Sequence, residues 1–185
     1  MKEKKVFDKS IKYIQKKIKE ILSKVSKEDI EKVKMLFFKS NRIFVYGAGR
    51  SGLVAKAFAI RLIHLGFQAF VIGETITVPV KKGDLVIIVS GSGETIPAVM
   101  TAEIAHKIGS YVVSITGKKK SEIAKFADIS LFIASSCNEE ERKKFAPLGT
   151  LFEASVWILL DGFIADLLNS KKETEDIMRS RHATL

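Results

Sequence analysis

The sequence predicts one α/β domain in which a parallel sheet is covered by helices on both faces. Five short apolar runs are separated mostly by longer segments whose apolar residues recur at helical spacing. Strands buried on both faces form continuous apolar runs, and helices are their usual parallel connections. With 185 residues, 46% of them hydrophobic, the chain is long enough for one substantial core and too short for two ordinary domains. We therefore expect a three-layer αβα sandwich with a five-stranded parallel sheet.

The chain divides into N-terminal helices in residues 1–40, a core in 41–169 and a charged tail in 170–185, all within a single domain. In the first section, Ser26 and Asp29 resemble a capping box between two helical patterns. Strands and helices of the core are predicted in the order RIFVYG, SGLVAKAFAIRLIHLG, FQAFVI, LVIIV, IPAVMTAEIAHKIG, YVVSIT, SEIAKFA, ISLFIA and a long helix over about 150–169. The tail is expected to be loosely attached.

The net charge of +10 raises the question of nucleic-acid binding. Residues 1–39 hold 13 lysines against six acidic residues, but the lysines lie largely on the solvent side of the helical patterns. No nucleic-acid-binding motif follows, and aromatic residues are not interleaved with the lysines. We therefore expect no nucleic-acid partner.

Location is predicted from the apolar segments and the cysteine content. The longest apolar stretch, residues 156–168, is interrupted by Asp161 and Asp166, which suits a buried helix better than a membrane span. The first ten residues are charged and lack an apolar signal-peptide core. Cys137 is the single cysteine, so no internal disulfide forms. A cytoplasmic protein without a membrane partner is expected.

The most informative segment is SGSGET, residues 90–95, which lies between an apolar strand and a predicted helix. The N-terminus of a helix presents free backbone N–H groups, and its dipole favours an anion. Gly91 and Gly93 allow close approach of the backbone to a ligand. Ser90, Ser92 and Thr95 add hydroxyl donors, so the loop can surround an oxyanion without a lysine. We predict a phosphate site; the alternative is a Gly-Ser turn in which Thr95 only caps the helix.

A second glycine-rich loop, GAGRSG at residues 47–52, follows the first strand. If the strands take the flavodoxin-like order 2-1-3-4-5, the loops after strands 1 and 3 flank the point where ligands bind. Gly49, Arg50 and Ser51 would then lie close to SGSGET. The same string also matches the dinucleotide fingerprint G-x-G-x-x-G, with Glu74 as a ribose-binding acid. A dinucleotide-binding module is therefore a competing hypothesis.

The strings GAGRSG, GETIT, SGSGET, APLGTLFE and RHATL, in this order and spacing, resemble the sugar isomerase (SIS) domain family, and within it the 6-phospho-3-hexuloisomerases. The resemblance covers nearly the whole chain. It implies interconversion of D-arabino-3-hexulose 6-phosphate and fructose 6-phosphate, a reaction of the ribulose monophosphate pathway. It also implies a homotetramer whose active sites use more than one subunit. The chemistry needs no metal or redox cofactor.

Two residues are candidates for the chemistry. Moving a carbonyl from C3 to C2 requires a base that removes the C2 proton, and Glu153 falls in the first turn of the last predicted helix, where the dipole favours a carboxylate. Thr150 and Glu153 fit a purely structural capping box equally well. His182 suits a proton relay between the enediol oxygens, and the alternative is a terminal histidine without a role. The resemblance favours catalysis for both, with His182 supplied by a neighbouring subunit.

Substrate binding is assigned to residues of the two loops and of GETIT, namely Gly49, Arg50, Ser51, Glu74, Ser90, Gly91, Ser92, Gly93 and Thr95. A non-catalytic phosphosugar regulator would share these loops but normally accompanies a DNA-binding module, for which no motif is evident. His64 and His106 fall within helical patterns and are expected to be packed or surface residues.

Overall fold

The structure, a computed structural model, describes residues 2–134 and 137–183 and has a five-stranded parallel sheet between two helical layers. The elements, in chain order, are α1 (Lys2–Leu22), α2 (Lys27–Lys39), β1 (Ile43–Gly47), α3 (Gly49–His64), β2 (Ala69–Val71), β3 (Leu85–Ser90), α4 (Ile96–Ile108), β4 (Tyr111–Thr116), a 3₁₀ helix (Ile123–Lys125), β5 (Ile129–Phe132), α5 (Glu139–Phe145), α6 (Thr150–Ser170) and α7 (Glu175–Ser180). In these two ranges, no helix combines the length and apolarity needed to cross a membrane.

The strands lie in the order β2-β1-β3-β4-β5, and all four pairings are parallel. This confirms the predicted order. The direction of winding reverses between β1 and β3, whose register pairs Gly47 with Val89 at their carboxyl ends. The GAGRSG and SGSGET loops therefore leave the same edge of the sheet next to each other, at the topological switch point.

Alternate residues of the central strand β3 pack into different halves of the core. Leu85, Ile87 and Val89 belong to the cluster formed with α2, α3 and α6, whereas Val86 and Ile88 pack with α4. All six residues of β3 are buried. Since each fully buried aliphatic side chain contributes roughly 1.5–3 kcal/mol, β3 holds the loop that follows it in a fixed position.

Two local predictions were too long, and one helix was not predicted. Strand β2 is three residues long, because it lies at the sheet edge and pairs only with β1. The segment SEIAKFA forms only the short 3₁₀ helix. Helix α5 was not predicted, since none of its residues is buried. Asn138 caps it by accepting hydrogen bonds from the backbone N–H groups of Glu140 and Glu141, at 2.9 and 3.0 Å.

The tail is packed against the domain, so the expectation of loose attachment was wrong. Met178 of α7 is 8% exposed and belongs to the main core cluster. The guanidinium of Arg181 donates to Glu173 at 2.6 Å and to the main-chain oxygen of His64 at 3.1 Å. The Lys171 ammonium donates to the main-chain oxygen of Leu65. The tail therefore covers the C-terminal end of α3.

We expect this contact to make the stability of the fold sensitive to acid. His64 is 7% exposed and stacks on His182, with ring centroids 4.8 Å apart. Burial, followed by the charges of His182 and Arg61, lowers the pKa of His64. The folded chain thus binds fewer protons here than the unfolded chain, whose histidine has an ordinary pKa of about 6.5. The free energy of unfolding should therefore fall as the pH drops below about 6.5.

Thermal unfolding at about pH 7.5 and about pH 5.5 tests this, because ordinary carboxyl groups remain ionised over that interval. We expect a lower Tm at the lower pH and a smaller difference for the His64→Gln variant. His106→Gln is the control, since His106 is exposed on α4. An equal pH effect in wild type and His64→Gln would show that His64 is not the group responsible.

Candidate active site

A cleft of about 510 Å³ opens at the carboxyl edge of the sheet, where the loops after β1, β3 and β4 meet the start of α6. Ser51, Gly91, Ser92 and Glu153, all predicted from the sequence, are among the residues that line it. Lys118 and Arg142 also line it, and neither was predicted. The structure therefore brings the two glycine-rich loops and the candidate base into one cavity.

The hydroxyl groups of SGSGET converge on one another. Ser90 donates to the Thr95 hydroxyl at 3.4 Å, and the hydroxyls of Ser92 and Thr95 are 3.3 Å apart. Thr95 is the N-cap residue of α4, but its side chain makes no capping hydrogen bond. The simple capping alternative therefore does not describe this loop. The Thr95 hydroxyl instead contacts the other two hydroxyls of the loop.

Gly93 is required by both the backbone and the packing of this loop. Its φ angle of +66° lies in the left-handed region, and its N–H donates to the Ser90 hydroxyl at 3.1 Å. A Cβ atom at this position would lie 2.4 Å from Cβ of Ser121, closer than side chains can approach. The loop therefore packs directly against the segment that follows β4, which fixes its shape.

The first loop is largely the start of a helix. Helix α3 begins at Gly49, two residues earlier than predicted, so that Arg50 and Ser51 lie in its first turn. Ser51 lines the cleft. Nε of Arg50 donates to Oε2 of Glu153, which joins the starts of α3 and α6 across the cleft rim.

Glu153 occupies the first turn of α6, as predicted. The alternative, a capping box formed by Thr150 and Glu153, is absent. The N-cap of α6 is Gly149, and the Thr150 hydroxyl donates to the main-chain oxygen of Pro147 at 2.6 Å. The Glu153 side chain is 13% exposed and pairs with Arg50. A Cβ on Gly149 would lie 2.9 Å from Oε1 of Glu153. The glycine therefore leaves room for the carboxylate at the cleft wall.

Glu74, in the GETIT string, contacts helix α3. It is exposed in the turn after β2 and pairs with Lys56 of α3 at 2.5 Å. It is not one of the described residues that line the cleft. The structure thus separates Glu74 from Ser92 and Glu153 within one chain.

His182 is also separate from Glu153 within one chain. It stacks on His64 and lines a cavity of about 350 Å³ with Trp157 and Asp161. A helix rises 1.5 Å per residue, so Asp161 lies about 12 Å along α6 from Glu153. In the rest of the RHATL string, Arg181 holds the tail and is followed, after His182, by Ala183. Residues 184–185 lie outside the described residues.

Arg142 of α5 forms part of the cleft wall. Its guanidinium pairs with Glu139 at 2.7 Å and donates to the main-chain oxygen of Leu148 at 3.2 Å. Leu148, at the rim, has a φ of +56° and is 90% exposed. Because α5 has no apolar face, the sequence patterns gave no reason to single out Arg142.

These features define a class: α/β proteins with a ligand cleft at the switch point of a doubly covered parallel sheet. Comparison with known families is more specific. The model of the SIS domain matches residues 36–154, and the chain belongs to this family. The family resemblance predicted from the sequence strings is confirmed.

Three relatives are similar over most of their length. The 3-hexulose-6-phosphate isomerase of Bacillus subtilis is 38% identical over 164 residues, which cover 87% of this chain and 89% of that protein. The enzyme of the same name from Methylomonas aminofaciens is 34% identical over 170 residues, 91% of this chain and 94% of that protein. A crystal structure from Methanococcus jannaschii, for which the function of 3-hexulose-6-phosphate isomerase was inferred, has a TM-score of 0.80 at 29% identity and covers 100% of this chain and 99% of its own.

Proposed function

We propose that this protein is a cytoplasmic isomerase that interconverts D-arabino-3-hexulose 6-phosphate and fructose 6-phosphate. One observation carries the proposal: the Glu153 carboxylate lines the same cleft as residues of the hydroxyl-rich phosphate loop. The names of the Bacillus and Methylomonas relatives support the choice of substrate. Neither a dinucleotide module nor a non-catalytic regulator would explain why the Glu153 carboxylate lines this cleft.

The reaction follows from this arrangement. The SGSGET loop and Ser51 hold the 6-phosphate, and the sugar carbons extend toward α6. Glu153 takes the C2 proton, and the C–H electron pair forms a C2–C3 double bond as the C3 carbonyl becomes an oxyanion. Return of that proton to C3, together with transfer of the O2 proton to the O3 oxyanion, produces the C2 ketone and the C3 hydroxyl. Because O6 is phosphorylated, a 3-ketose cannot close a furanose ring through it, so no ring has to open first.

Arg50 contributes positive charge near the reacting carbons. Its side chain is 70% exposed at the cleft rim and contacts the Glu153 carboxylate. Negative charge that develops on an enediolate is stabilised by fixed charges placed where it appears. We assign Arg50 to this role and to orienting the base.

The active sites are completed, in this proposal, by a second copy of the chain. A groove along α3 and α6 has the Arg50–Glu153 pair near one end and the His64–His182 stack near the other. Large apolar side chains between them are exposed, including Leu53 at 62% and Trp157 at 46%. In a two-fold interface every contact occurs twice: if one residue of the first copy contacts a second residue of the other copy, the reverse contact also forms. Such packing through this groove would bring His182 of one copy to Glu153 of the other, within a homotetramer.

A coupled assay tests the activity. Ribulose 5-phosphate, formaldehyde and a hexulose-phosphate synthase generate the 3-hexulose phosphate in place, and fructose 6-phosphate is detected as it forms. We expect fructose 6-phosphate only when the protein is present. Formaldehyde consumption without fructose 6-phosphate would contradict the proposal. Binding of fructose 6-phosphate without turnover would favour the regulator, and a fluorescence change with NAD would favour the dinucleotide module.

The shared site makes a separate prediction. Glu153→Gln and His182→Asn should each be nearly inactive, but mixed oligomers of the two should regain about a quarter of wild-type activity, because half of the random pairs contain one intact site of two. The variants are mixed after reversible dissociation and assayed. A mixture no more active than its parents would place His182 outside the neighbouring site.

A further inference from the structure

We propose that Lys118, two residues beyond the end of β4, supplies the positive charge that binds the phosphate of the substrate. This inference rests on the proposed function, because it names a group that would recognise the phosphosugar. The SGSGET loop offers only neutral donors, whereas a phosphate monoester carries about −1.5 to −2 charges at pH 7. A site of this kind gains affinity from a cation close to the phosphate.

The sheet places Lys118 beside the phosphate loop. Strands β3 and β4 pair in register, with Ser90 opposite Thr116. The N–H of Gly117 donates to the main-chain oxygen of Gly91 at 3.0 Å, so the two loops remain joined beyond the last strand residues. Lys118 donates its own N–H to the Thr116 hydroxyl at 3.3 Å. Its position at the cleft is therefore set by the backbone hydrogen bonds of two strands.

The other charges of the cleft are already paired. In residues 2–134 and 137–183, three ionisable side chains line it: Lys118, Arg142 and Glu153. Arg142 is held by Glu139 at 2.7 Å, and Glu153 is paired with Arg50. Among the described residues, no carboxylate pairs with Lys118. The cleft thus retains one uncompensated positive charge, next to the loop that binds the anion.

A neighbouring lysine provides a matched control. Lys120 is exposed in the same segment and does not line the cleft, so Lys120→Gln removes the same charge from the same loop. Lys119 is less suitable, because its ammonium lies 5.7 Å from the centroid of the Phe132 ring. Comparison of Lys118→Gln with Lys120→Gln therefore separates a local contact from the general effect of net charge.

The test is calorimetric titration of both variants with inorganic phosphate and fructose 6-phosphate at several NaCl concentrations. For Lys118→Gln we expect both affinities to fall about tenfold or more, a weaker dependence on salt, and a higher KM with a nearly unchanged kcat. Lys118→Arg should retain most of the affinity. Equal affinities in Lys118→Gln and Lys120→Gln would overturn the proposal. If wild type turns over no hexulose phosphate, the proposed function fails, but the phosphate titration still tests Lys118.

Discussion

The Glu153→Gln variant should lose turnover by roughly 10²–10⁴-fold, the contribution typical of a general base, while it binds fructose 6-phosphate about as well as wild type. The amide has nearly the same shape as the carboxylate and can still accept a hydrogen bond from Arg50. The coupled assay measures turnover, and calorimetry measures binding.

Glu141→Gln is the matched control for this prediction, since Glu141 is an exposed acid of α5. It should retain wild-type activity. A Glu153→Gln enzyme with substantial turnover would assign the base to another residue. Loss of fructose 6-phosphate binding together with turnover would instead indicate that Glu153 mainly shapes the cleft.

Removal of the Ser92 and Thr95 hydroxyls together should weaken binding of fructose 6-phosphate by about 100-fold or more, because hydrogen bonds to charged groups contribute about 1.5–3 kcal/mol each. Binding of unphosphorylated fructose should change far less. Since the Thr95 side chain makes no capping hydrogen bond, the double alanine variant removes no side-chain cap from α4. Calorimetry with both sugars measures the difference.

Thr101→Ala serves as the control for that double variant. The Thr101 hydroxyl donates to the main-chain oxygen of Pro97 at 2.7 Å on the same helix, away from the loop. Its removal should leave both affinities unchanged. If the double variant weakened the phosphorylated and unphosphorylated sugars equally, the loop would not contact the phosphate.

The sheet could be predicted because its determinants are local. The strands are largely apolar runs, and β3, which is buried throughout, is the clearest of them. Helix α5 lacks such a signal, although Asn138, the following acidic residues and the basic last turn are features of a helix stabilised by capping and the dipole. The tail was misjudged for a related reason: its cationic side chains donate hydrogen bonds to the domain, Arg181 to the main-chain oxygen of His64 and Lys171 to that of Leu65.

The candidate site was predictable where topology alone decides which segments meet. The strand order brings Ser51 and Ser92 to one edge of the sheet. By contrast, the proposed role of Lys118 depends on which charged side chains remain unpaired after packing, and spacing in the sequence does not reveal that. Glu74 was predicted to bind substrate because it belongs to GETIT, one of the strings that resemble the family. It lies in a turn beyond the short edge strand.

Helix α6 sets the distance between two parts of the proposed shared site. It is one uninterrupted helix that places the candidate base in its first turn and Asp161, beside the His64–His182 stack, about two turns further on. In a two-fold pair this interval sets how far one subunit is displaced along the other. Adding or deleting a single residue between Glu153 and Asp161 would rotate the two ends of α6 by about 100° relative to each other. The same helix would then fix the alignment of two subunits as well as the position of one carboxylate.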